Sequence, residues 1–481
     1  MTNIIIYKKI TLRNVFWSLS DNFLQQIINF IVGIILARLL LPAEFGLIGI
    51  VVFFITISNT FIDSGLSSAL INERETDKYY YNTVFWMNII IGIIFYLILY
   101  FISPYVAVFF KLSELTNLLR LSSISLLLLS LSSIQRTIFV KNLNFRSITF
   151  ISFVSVSVSA IVAIYMAYMG YGVLSLVVRS VLGQLISTLM FWYMSTWRPS
   201  FIFNIGVLKK MYSYGIGLFL TDFLNNIHNN LYYVVIGKFF SPSILGFYTR
   251  ANTFKDLASS NISNAIKRVS FSSLSRITDR KQQELSFSKY VIPTIYLTSV
   301  LMSILFLCAY PIIMILLGDK WLNSVGILRI IAISGVFLPI YSLNLNYLAV
   351  NKYISLYLKI EVFGKLLVIP IVIIGFYLGF TVMLYSILFH SFIIYLASVF
   401  ALKHFKLLYK YQLRNVLFCI VTIIILYFAK MVWSNVLTFS NIYMSFFIDL
   451  FIILFCWMLL MKLYNKSLYR NVKYLLLNIS D

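Results

Sequence analysis

Charge is what this sequence has least of. Only 11% of its 481 residues are Asp, Glu, Lys or Arg, against 61% hydrophobic and 17% aromatic. A soluble domain carries roughly a quarter charged residues, so there is too little polar sequence here to cover a water-facing surface. Acidic residues are the scarcer sign, 15 against 38 basic, and they show no metal-ligand spacing. Cysteine is nearly missing: Cys308, Cys419 and Cys456 each sit inside an apolar run without metal-ligand spacing and read as small packed hydrophobes. No Gly-rich phosphate loop with Lys-Ser/Thr occurs, which excludes ATP as the direct driver. No Ser-His-Asp arrangement is present, and the largest link between apolar runs is only about Val269 to Lys289. A soluble catalytic domain has no room. No cofactor and no metal is expected, and an enzyme assignment has little to stand on.

What is present is apolar sequence. Runs of about 20 residues recur from end to end, the length that crosses a bilayer core of ~30 Å as a helix. Only helices and closed barrels satisfy their backbone in lipid. The runs are too continuous for barrel strands, which alternate over about 10 residues. The expected fold is an all-α membrane bundle of about fourteen transmembrane helices, at 14–38, 45–70, 83–110, 115–140, 147–169, 173–196, 211–237, 245–270, 290–317, 324–350, 357–378, 382–402, 414–432 and 442–463.

A net charge of +23 would suggest nucleic acid in a soluble protein. Here topology explains most of it, and no nucleic-acid partner is expected. With the N-terminus inside, the cytoplasmic segments hold 26 of the 38 basic residues. They run from Lys8, Lys9 and Arg13 to a basic tail with Lys466, Arg470 and Lys473. The outer side holds six: Arg38, Lys111, Lys238, Arg250, Lys320 and Lys430. Cytoplasmic loops attract Lys and Arg, so both termini are placed in the cytoplasm. The N-terminal segment has no cleavage-site pattern and reads as a retained first helix.

The chain also repeats itself. Arg38-Leu-Leu-Leu-Pro42 with Gly46 matches Lys238-Phe-Phe-Ser-Pro242 with Gly246, and Arg120-Leu-Ser-Ser-Ile-Ser125 matches Arg329-Ile-Ile-Ala-Ile-Ser334. The turn at Gly170 matches the turn at Gly379. The three matches keep the same order, which makes spans 1–6 and 7–12 two copies of one six-helix unit. Six is even, so both copies enter the membrane in the same direction. Parallel repeats are related by an axis along the membrane normal, with the substrate site between them. The division is an N-terminal lobe at 1–200, a C-terminal lobe at 201–405, and two extra helices with the basic tail at 406–481.

The first helix of each copy is unusually polar. Span 1 carries Asp21, Asn22, Gln25, Gln26 and Asn29; span 7 carries Asp222, Asn225, Asn226, His228, Asn229 and Asn230. Positions 22, 25, 26 and 29, and 222, 225, 226, 229 and 230, share one helix face. An amide stripe facing lipid is costly, so both faces must look inward. They read as the wall of a hydrated cavity, or as interhelical hydrogen bonding that glues the bundle. Lys255 and Asp256 sit deep in span 8, where charge is expensive and usually functional. Lys255 facing a cavity is weighed against an ion pair with a neighbouring helix. Asp63, Arg136, Arg179 and Arg329 are further candidates. Glu361 and Lys365 are spaced to pair with each other. Arg120 fits an anchor as well as a contact. His228 is of the residue type that can switch charge near neutral pH, and this is weighed against the commoner role of a lone membrane histidine, a hydrogen-bonded packing residue.

The segment Ala37-Arg-Leu-Leu-Leu-Pro-Ala-Glu-Phe-Gly46, followed by Phe61-Ile-Asp-Ser-Gly-Leu-Ser-Ser-Ala-Leu-Ile71, resembles the oligosaccharide flippase (Wzx-like, polysaccharide transporter) family. That family belongs to the multidrug/oligosaccharidyl-lipid/polysaccharide (MOP) flippase superfamily. The likeness continues in Ile236-Gly-Lys238, Leu245-Gly-Phe-Tyr-Thr-Arg-Ala251, Leu274-Ser-Arg-Ile277 and Gly318-Asp-Lys-Trp321. The resemblance implies a two-lobed, MATE/MOP-like bundle in a bacterial plasma (inner) membrane. It implies movement of undecaprenyl-diphosphate-linked oligosaccharide from the inner to the outer leaflet, for O antigen, capsule or exopolysaccharide. Family members present a cationic cavity that suits a diphosphate. The family often has an acidic residue shortly before the Ile-Gly-Lys/Arg stretch, where this chain has Tyr232.

On this reading Lys255, Arg136 and Arg179 take the diphosphate. Asn22, Gln25, Gln26, Asn29, Asn225, Asn226 and Asn229 hydrogen-bond sugar hydroxyls. Asp21, Asp63, Asp222 and His228 are the candidates for coupling to H⁺ or Na⁺. The expected partners are the lipid-linked oligosaccharide, membrane lipids and a polysaccharide polymerase. An exporter of drugs or metabolites with the same fold is the alternative, though cationic drugs favour buried acids, and buried bases are at least as numerous here. A membrane polymerase or ligase stands further off, since such families carry a long extracytoplasmic loop with catalytic residues.

Overall fold

The computed structural model describes residues 2–73, 77–404, 406–436 and 441–464, and among them it is helical with no strand. Arg74 and the tail with Lys466, Arg470 and Lys473 lie outside the described residues, as do the side chains of Lys8, Lys9, Arg13, Lys406 and Lys410. The α-helices in chain order are α1 (Thr2–Leu39), α2 (Pro42–Asp63), α3 (Leu66–Asn72), α4 (Lys78–Phe110), α5 (Leu115–Lys141) and α6 (Phe145–Tyr168). There follow α7 (Leu174–Met194), α8 (Ile205–Phe239), α9 (Pro242–Leu274), α10 (Arg280–Leu307), α11 (Ala309–Leu316) and α12 (Ser324–Gly335). The last six are α13 (Phe337–Val350), α14 (Ile354–Leu366), α15 (Val368–Leu378), α16 (Phe380–Ala401), α17 (Lys406–Val436) and α18 (Ile442–Tyr464).

Twelve segments among the described residues are long and apolar enough to cross a membrane. Each overlaps an expected span. The expected spans at 211–237 and 245–270 are the unbroken helices α8 and α9, of 35 and 33 residues. Length lets both cross, but their amides and charges lower their hydropathy, so they fall outside the twelve. The helix starts follow local chemistry. Pro42 sits at the first turn of α2, where its missing N–H is not needed, and the Glu44 carboxylate accepts from the Leu41 N–H at 2.6 Å. Asp77, Asn204 and Asp279 cap α4, α8 and α10 by accepting backbone N–H groups of the first turn. Four expected spans are broken into two helices each: 45–70 at Ser64 and Gly65, whose φ values are 45° and 69°, and 290–317, 324–350 and 357–378 at the single residues Cys308, Val336 and Leu367.

By its contacts the chain forms two compact units, residues 1–246 and 247–481. The first unit takes in α8, which packs on α2, α3 and α4. In that unit α1 lies on α6, α4 on α5, and α7 on both α5 and α6. Its apolar interior includes Leu66, Leu70, Val84, Phe85, Ile134 and Met211, all buried. Lipid is as apolar as leucine, so helix association here rests on close packing and interhelical hydrogen bonds. Asn88 donates to Ser133 at 2.8 Å between α4 and α5, and Trp192 Nε1 donates to the Leu131 carbonyl at 2.9 Å between α7 and α5. Arg120 Nε reaches the Tyr100 carbonyl at 3.3 Å and Ser103 Oγ at 3.2 Å, so it anchors α5 to α4.

In the second unit α10 packs on α12, α13 and α17. The two C-terminal helices are fixed to it by buried polar contacts. Gln412 and Asn344 exchange two hydrogen bonds at 2.9 and 3.1 Å, and Asn344 also donates to Ser398 at 3.0 Å. Trp457 Nε1 donates to Ser303 at 2.8 Å, and Tyr296 donates to Asn415 at 3.1 Å. Lys430 pairs with Asp449 at 2.5 Å, joining α17 to α18. Glu361 and Lys365 pair along α14 at 3.3 Å, as their spacing predicts.

Candidate functional site

The amide stripe of α1 can be oriented from its own helix. Successive residues turn by about 100°, which puts Phe23, Leu24, Ile27, Ile31 and Ile35 on the side roughly opposite Asn22, Gln25, Gln26 and Asn29. Those five apolar side chains are all exposed, Phe23 to 66%. A face of bare Phe, Leu and Ile is the lipid face of a membrane helix, so the amides point away from the acyl chains. Asn22 and Asn29 are nonetheless exposed, and Gln25 and Gln26 are half-buried.

Two contacts organise that face. Gln25 Nε2 donates to Asp21 Oδ1 at 2.8 Å, one turn back along α1. Arg179, on α7, donates through Nη2 to Asn29 Oδ1 at 2.6 Å. The structure therefore brings together one of the three expected phosphate-binding bases and one of the expected sugar-binding amides, on different helices of the first unit.

The stripe of α8 belongs to the same unit. Asn226 Nδ2 donates to Thr60 Oγ1 on α2 at 2.8 Å, and Asn230 bonds back to the Asn226 carbonyl at 2.9 Å. Leu220 and Leu224, roughly opposite the stripe, are exposed. Asn225 and His228 are half-buried; Asp222 and Asn229 are exposed. Aromatic rings hold this face in place: Phe61 of α2 lies 4.6 Å from Phe95, 5.1 Å from Phe219 and 5.2 Å from Phe223, centroid to centroid. Asp63 is exposed at the last position of α2, directly before the left-handed pair Ser64–Gly65. Gly65 must be glycine for a second reason: a Cβ there would meet the Gly215 carbonyl of α8 at 2.3 Å.

At the other end of α2 the two copies of the repeated Pro-x-x-x-Gly segment touch each other. A Cβ on Gly46 would lie 1.9 Å from the Pro242 carbonyl, and a Cβ on Gly246 would lie 1.8 Å from the Pro42 carbonyl. The contact is reciprocal, as the repeat requires.

The remaining bases differ in their surroundings. Arg136 is exposed on α5 and has no ion pair among the described residues. Lys255, in the second unit, pairs with Asp256 at 3.1 Å, and its stem lies against Gly335 of α12. Asp256 also accepts from Asn252 at 2.8 Å. The ion pair weighed for Lys255 is thus present, but with its own helix and not with a neighbour. Arg329 is exposed. The sequence reading missed one polar region, formed by Asn59 of α2, Ser122 and Ser125 of α5, and Ser180 and Gln184 of α7, around a cavity of about 240 Å³. Its signal was legible in the serines of α5, six between Ser122 and Ser133. Among the described residues no cluster of His, Cys, Asp and Glu could hold a metal.

Comparison with known proteins follows the same lines. Residues 35–326 match the family described as polysaccharide biosynthesis protein. The chain is 25% identical over 288 residues to the teichuronic acid biosynthesis protein TuaB of Bacillus subtilis, a match that spans 57% of this chain and 58% of that one. It is 26% identical over 343 residues to the succinoglycan biosynthesis transport protein ExoT of Rhizobium meliloti, spanning 70% of this chain and 69% of that one. Its fold is similar to that of the lipid II flippase MurJ in an inward closed conformation, with a TM-score of 0.76 at 17% identity, covering 94% of this chain and 99% of MurJ. With twelve apolar membrane-length segments, a MurJ-like fold and a family match over more than half its length, the chain belongs to the polysaccharide biosynthesis protein family and is a multi-pass membrane protein.

Proposed function

We propose that this protein flips undecaprenyl-diphosphate-linked oligosaccharide repeat units from the cytoplasmic to the outer leaflet of a bacterial inner membrane, both termini being cytoplasmic. The observation that carries the reading is the α1 amide face, turned from lipid yet open, with the Arg179 guanidinium held at Asn29. A diphosphate with sugars does not cross ~30 Å of hydrocarbon unaided, given the cost of charge there. A carrier must supply hydrogen-bond partners for the sugars, cations for the diphosphate, and a lateral route for the lipid tail. The two amide stripes supply the first. Arg179, Arg136 and Lys255 supply the second. The lobes at 1–200 and 201–405 would rock about the site in alternating access.

Transport, not bond chemistry, is the activity. Asp21, Asp63, Asp222 and His228 are the groups through which H⁺ or Na⁺ would couple, and a polysaccharide polymerase would consume the product. The relatives support the cargo class: one carries the name of a teichuronic acid biosynthesis protein and one that of a succinoglycan transport protein. The test is translocation in proteoliposomes of a fluorescent undecaprenyl-diphosphate oligosaccharide, read by accessibility to an impermeant quencher, beside efflux of a cationic dye. Translocation that falls in Asn29→Leu supports the proposal. Dye efflux without lipid translocation refutes it.

A further inference from the structure

The link between α7 and α8, residues 195–204, plays no part in the reading above. A tether needs no fixed path, yet this one is pinned to the N-terminal turns of α4. The Ser200 N–H donates to Asn82 Oδ1 at 2.6 Å, the Trp86 indole N–H donates to the Ser200 carbonyl at 2.9 Å, and the Asn204 N–H donates to Thr83 Oγ1 at 3.1 Å. Arg198 closes the link on itself by donating to the Ser195 and Trp197 carbonyls at 2.5 and 2.9 Å. Held this way, the link turns apolar side chains outward. Phe201 stacks on Trp86, with ring centroids 5.0 Å apart and an angle of 19° between the rings, and is still 95% exposed. Phe203 and Ile205 are exposed as well. Water is a costly surrounding for bare apolar side chains. The boundary between headgroups and acyl chains is not, and this end of the helices is the one expected to face the cytoplasm, where basic residues gather.

The charge beside these side chains is mostly of one sign. Lys78, Arg198, Lys209 and Lys210 are exposed in the link and at the starts of α4 and α8. The acids described nearby are already engaged. Glu73 pairs with Lys210 at 2.7 Å, and Asp77 accepts the Tyr79 and Tyr80 N–H groups as the cap of α4. The Lys210 ammonium also lies 3.2 Å from the Tyr80 hydroxyl, which ties the start of α8 to the start of α4. Lys78 and Lys209 have no ion pair among the described residues. Exposed rings beside ammonium groups that have no acid of their own match a phospholipid with a net negative headgroup. A zwitterionic headgroup brings its own ammonium and gains less from the lysines. Free phosphate would use the lysines and leave the rings bare.

We infer that the 195–204 link and the starts of α4 and α8 form a binding surface for anionic phospholipid, with Phe201 seated at the acyl boundary and Lys78 and Lys209 at the headgroup phosphate. The surface requires that the bundle lie in a membrane and is independent of the cargo. Binding is read on the full purified chain in detergent micelles, from the emission of bimane on Phe203→Cys in a Cys456→Ser background. The probes are phosphatidylglycerol, phosphatidylcholine and inorganic phosphate. Phosphatidylglycerol half-saturates the emission shift at about twenty- to thirtyfold lower concentration than phosphatidylcholine. Lys78→Gln and Lys209→Gln each reduce that preference about fivefold, the worth of one lysine near an anionic headgroup. Both lysines are exposed and unpaired, so neither change threatens the fold. Phe201→Ser weakens both lipids alike, because seating a ring does not depend on headgroup charge. Equal half-saturation by the two lipids, a preference that survives removal of both lysines, or the full shift with inorganic phosphate alone overturns the inference. Lipid translocation is measured apart: its absence would sink the flippase reading, while lysine-dependent binding of phosphatidylglycerol would still establish this surface.

Discussion

Replacing Gly46 by alanine tests whether the reciprocal contact at Pro42 and Pro242 is as tight as its geometry says. The added Cβ would stand 1.9 Å from the Pro242 carbonyl oxygen, where real Cβ contacts essentially never fall below 3.0 Å. One side must retreat by at least about 1 Å, and the obstacle is backbone in the first turn of a helix, not a side chain that can rotate away. Overpacking of this kind costs about 1–3 kcal/mol. Gly246→Ala meets Pro42 at 1.8 Å and should cost the same. The double variant should cost less than the two together, because one separation of the helix starts relieves both clashes. The assays are SDS unfolding in mixed micelles and maleimide labelling of Ser243→Cys, a half-buried position between Pro242 and Gly246. Each alanine should lower the midpoint and speed the labelling. If Gly46→Ala unfolds like the parent and labelling does not change, the helix starts are not held in van der Waals contact, and the reasoning from the glycines fails.

Three further outcomes are expected. Asp449→Ala should destabilise the chain by about 3–5 kcal/mol, because it leaves the Lys430 ammonium largely uncompensated beside the Leu307 carbonyl at 2.7 Å. Lys430→Met with Asp449→Leu should recover most of that loss in the same SDS titration, and equal losses would refute it. At the Lys210–Glu73 pair, 2.7 Å apart, the carboxylate and the Tyr80 hydroxyl hold the Lys210 ammonium above its ordinary value. A raised lysine lends stability below the ordinary lysine range and loses it as pH rises through the raised value. Because the Lys210 side chain is 57% exposed, solvent screens the pair, and Glu73→Gln should leave unfolding at neutral pH unchanged; a clear shift would count against that view. Finally, Arg179→Gln should weaken competition by undecaprenyl diphosphate in the translocation assay about tenfold, the worth of one charge-assisted hydrogen bond. Lys255→Gln should weaken it less, and the reverse order would refute the ranking.

The membrane spans were legible because hydrocarbon imposes a single rule, apolar length, and Leu, Ile and Phe dominate those runs. The two polar spans show the limit of that rule. The amides that make 211–237 notable as a site also lower its hydropathy below that of the twelve apolar segments, although its length and its apolar residues had marked it as a span. The faces were legible too, since the 22–29 and 222–230 spacings fix one side of a helix whatever surrounds it. Partners were not. The repeat position of Arg120 suggested an anchor, but the sequence could not name Tyr100 and Ser103 as what it holds, nor Asn29 as the partner of Arg179, because that depends on which helix stands opposite. The break at Ser64–Gly65 was also hidden, because a left-handed pair inside an apolar span leaves hydropathy unchanged. The cavity around Asn59 and Ser122 was missed since serines in membrane helices commonly bond back to their own turn, as Ser123 and Ser130 do here.

The ranking of Arg179 over Lys255 follows from what an empty carrier must do with its cations. A guanidinium or ammonium within the bilayer cannot stand bare, so each base needs a resident partner, and an arriving diphosphate must replace that partner. The gain on binding is the difference between the two. Arg179 rests on a neutral amide, Asn29 Oδ1. The guanidinium already makes that bond charge-assisted from the donor side; a phosphate oxygen in its place adds the opposite charge on the acceptor and turns the contact into an ion pair, and it frees Asn29 for a sugar hydroxyl. Lys255 rests on a carboxylate, Asp256. There an anion exchanges one charged pair for another and strands Asp256, unless that carboxylate takes a proton or a cation. The first arrangement suits affinity for an anion; the second suits exchange, in which arrival of the anion and neutralisation of an acid are obligatorily linked. A carrier that must bind on one side and release on the other has use for both.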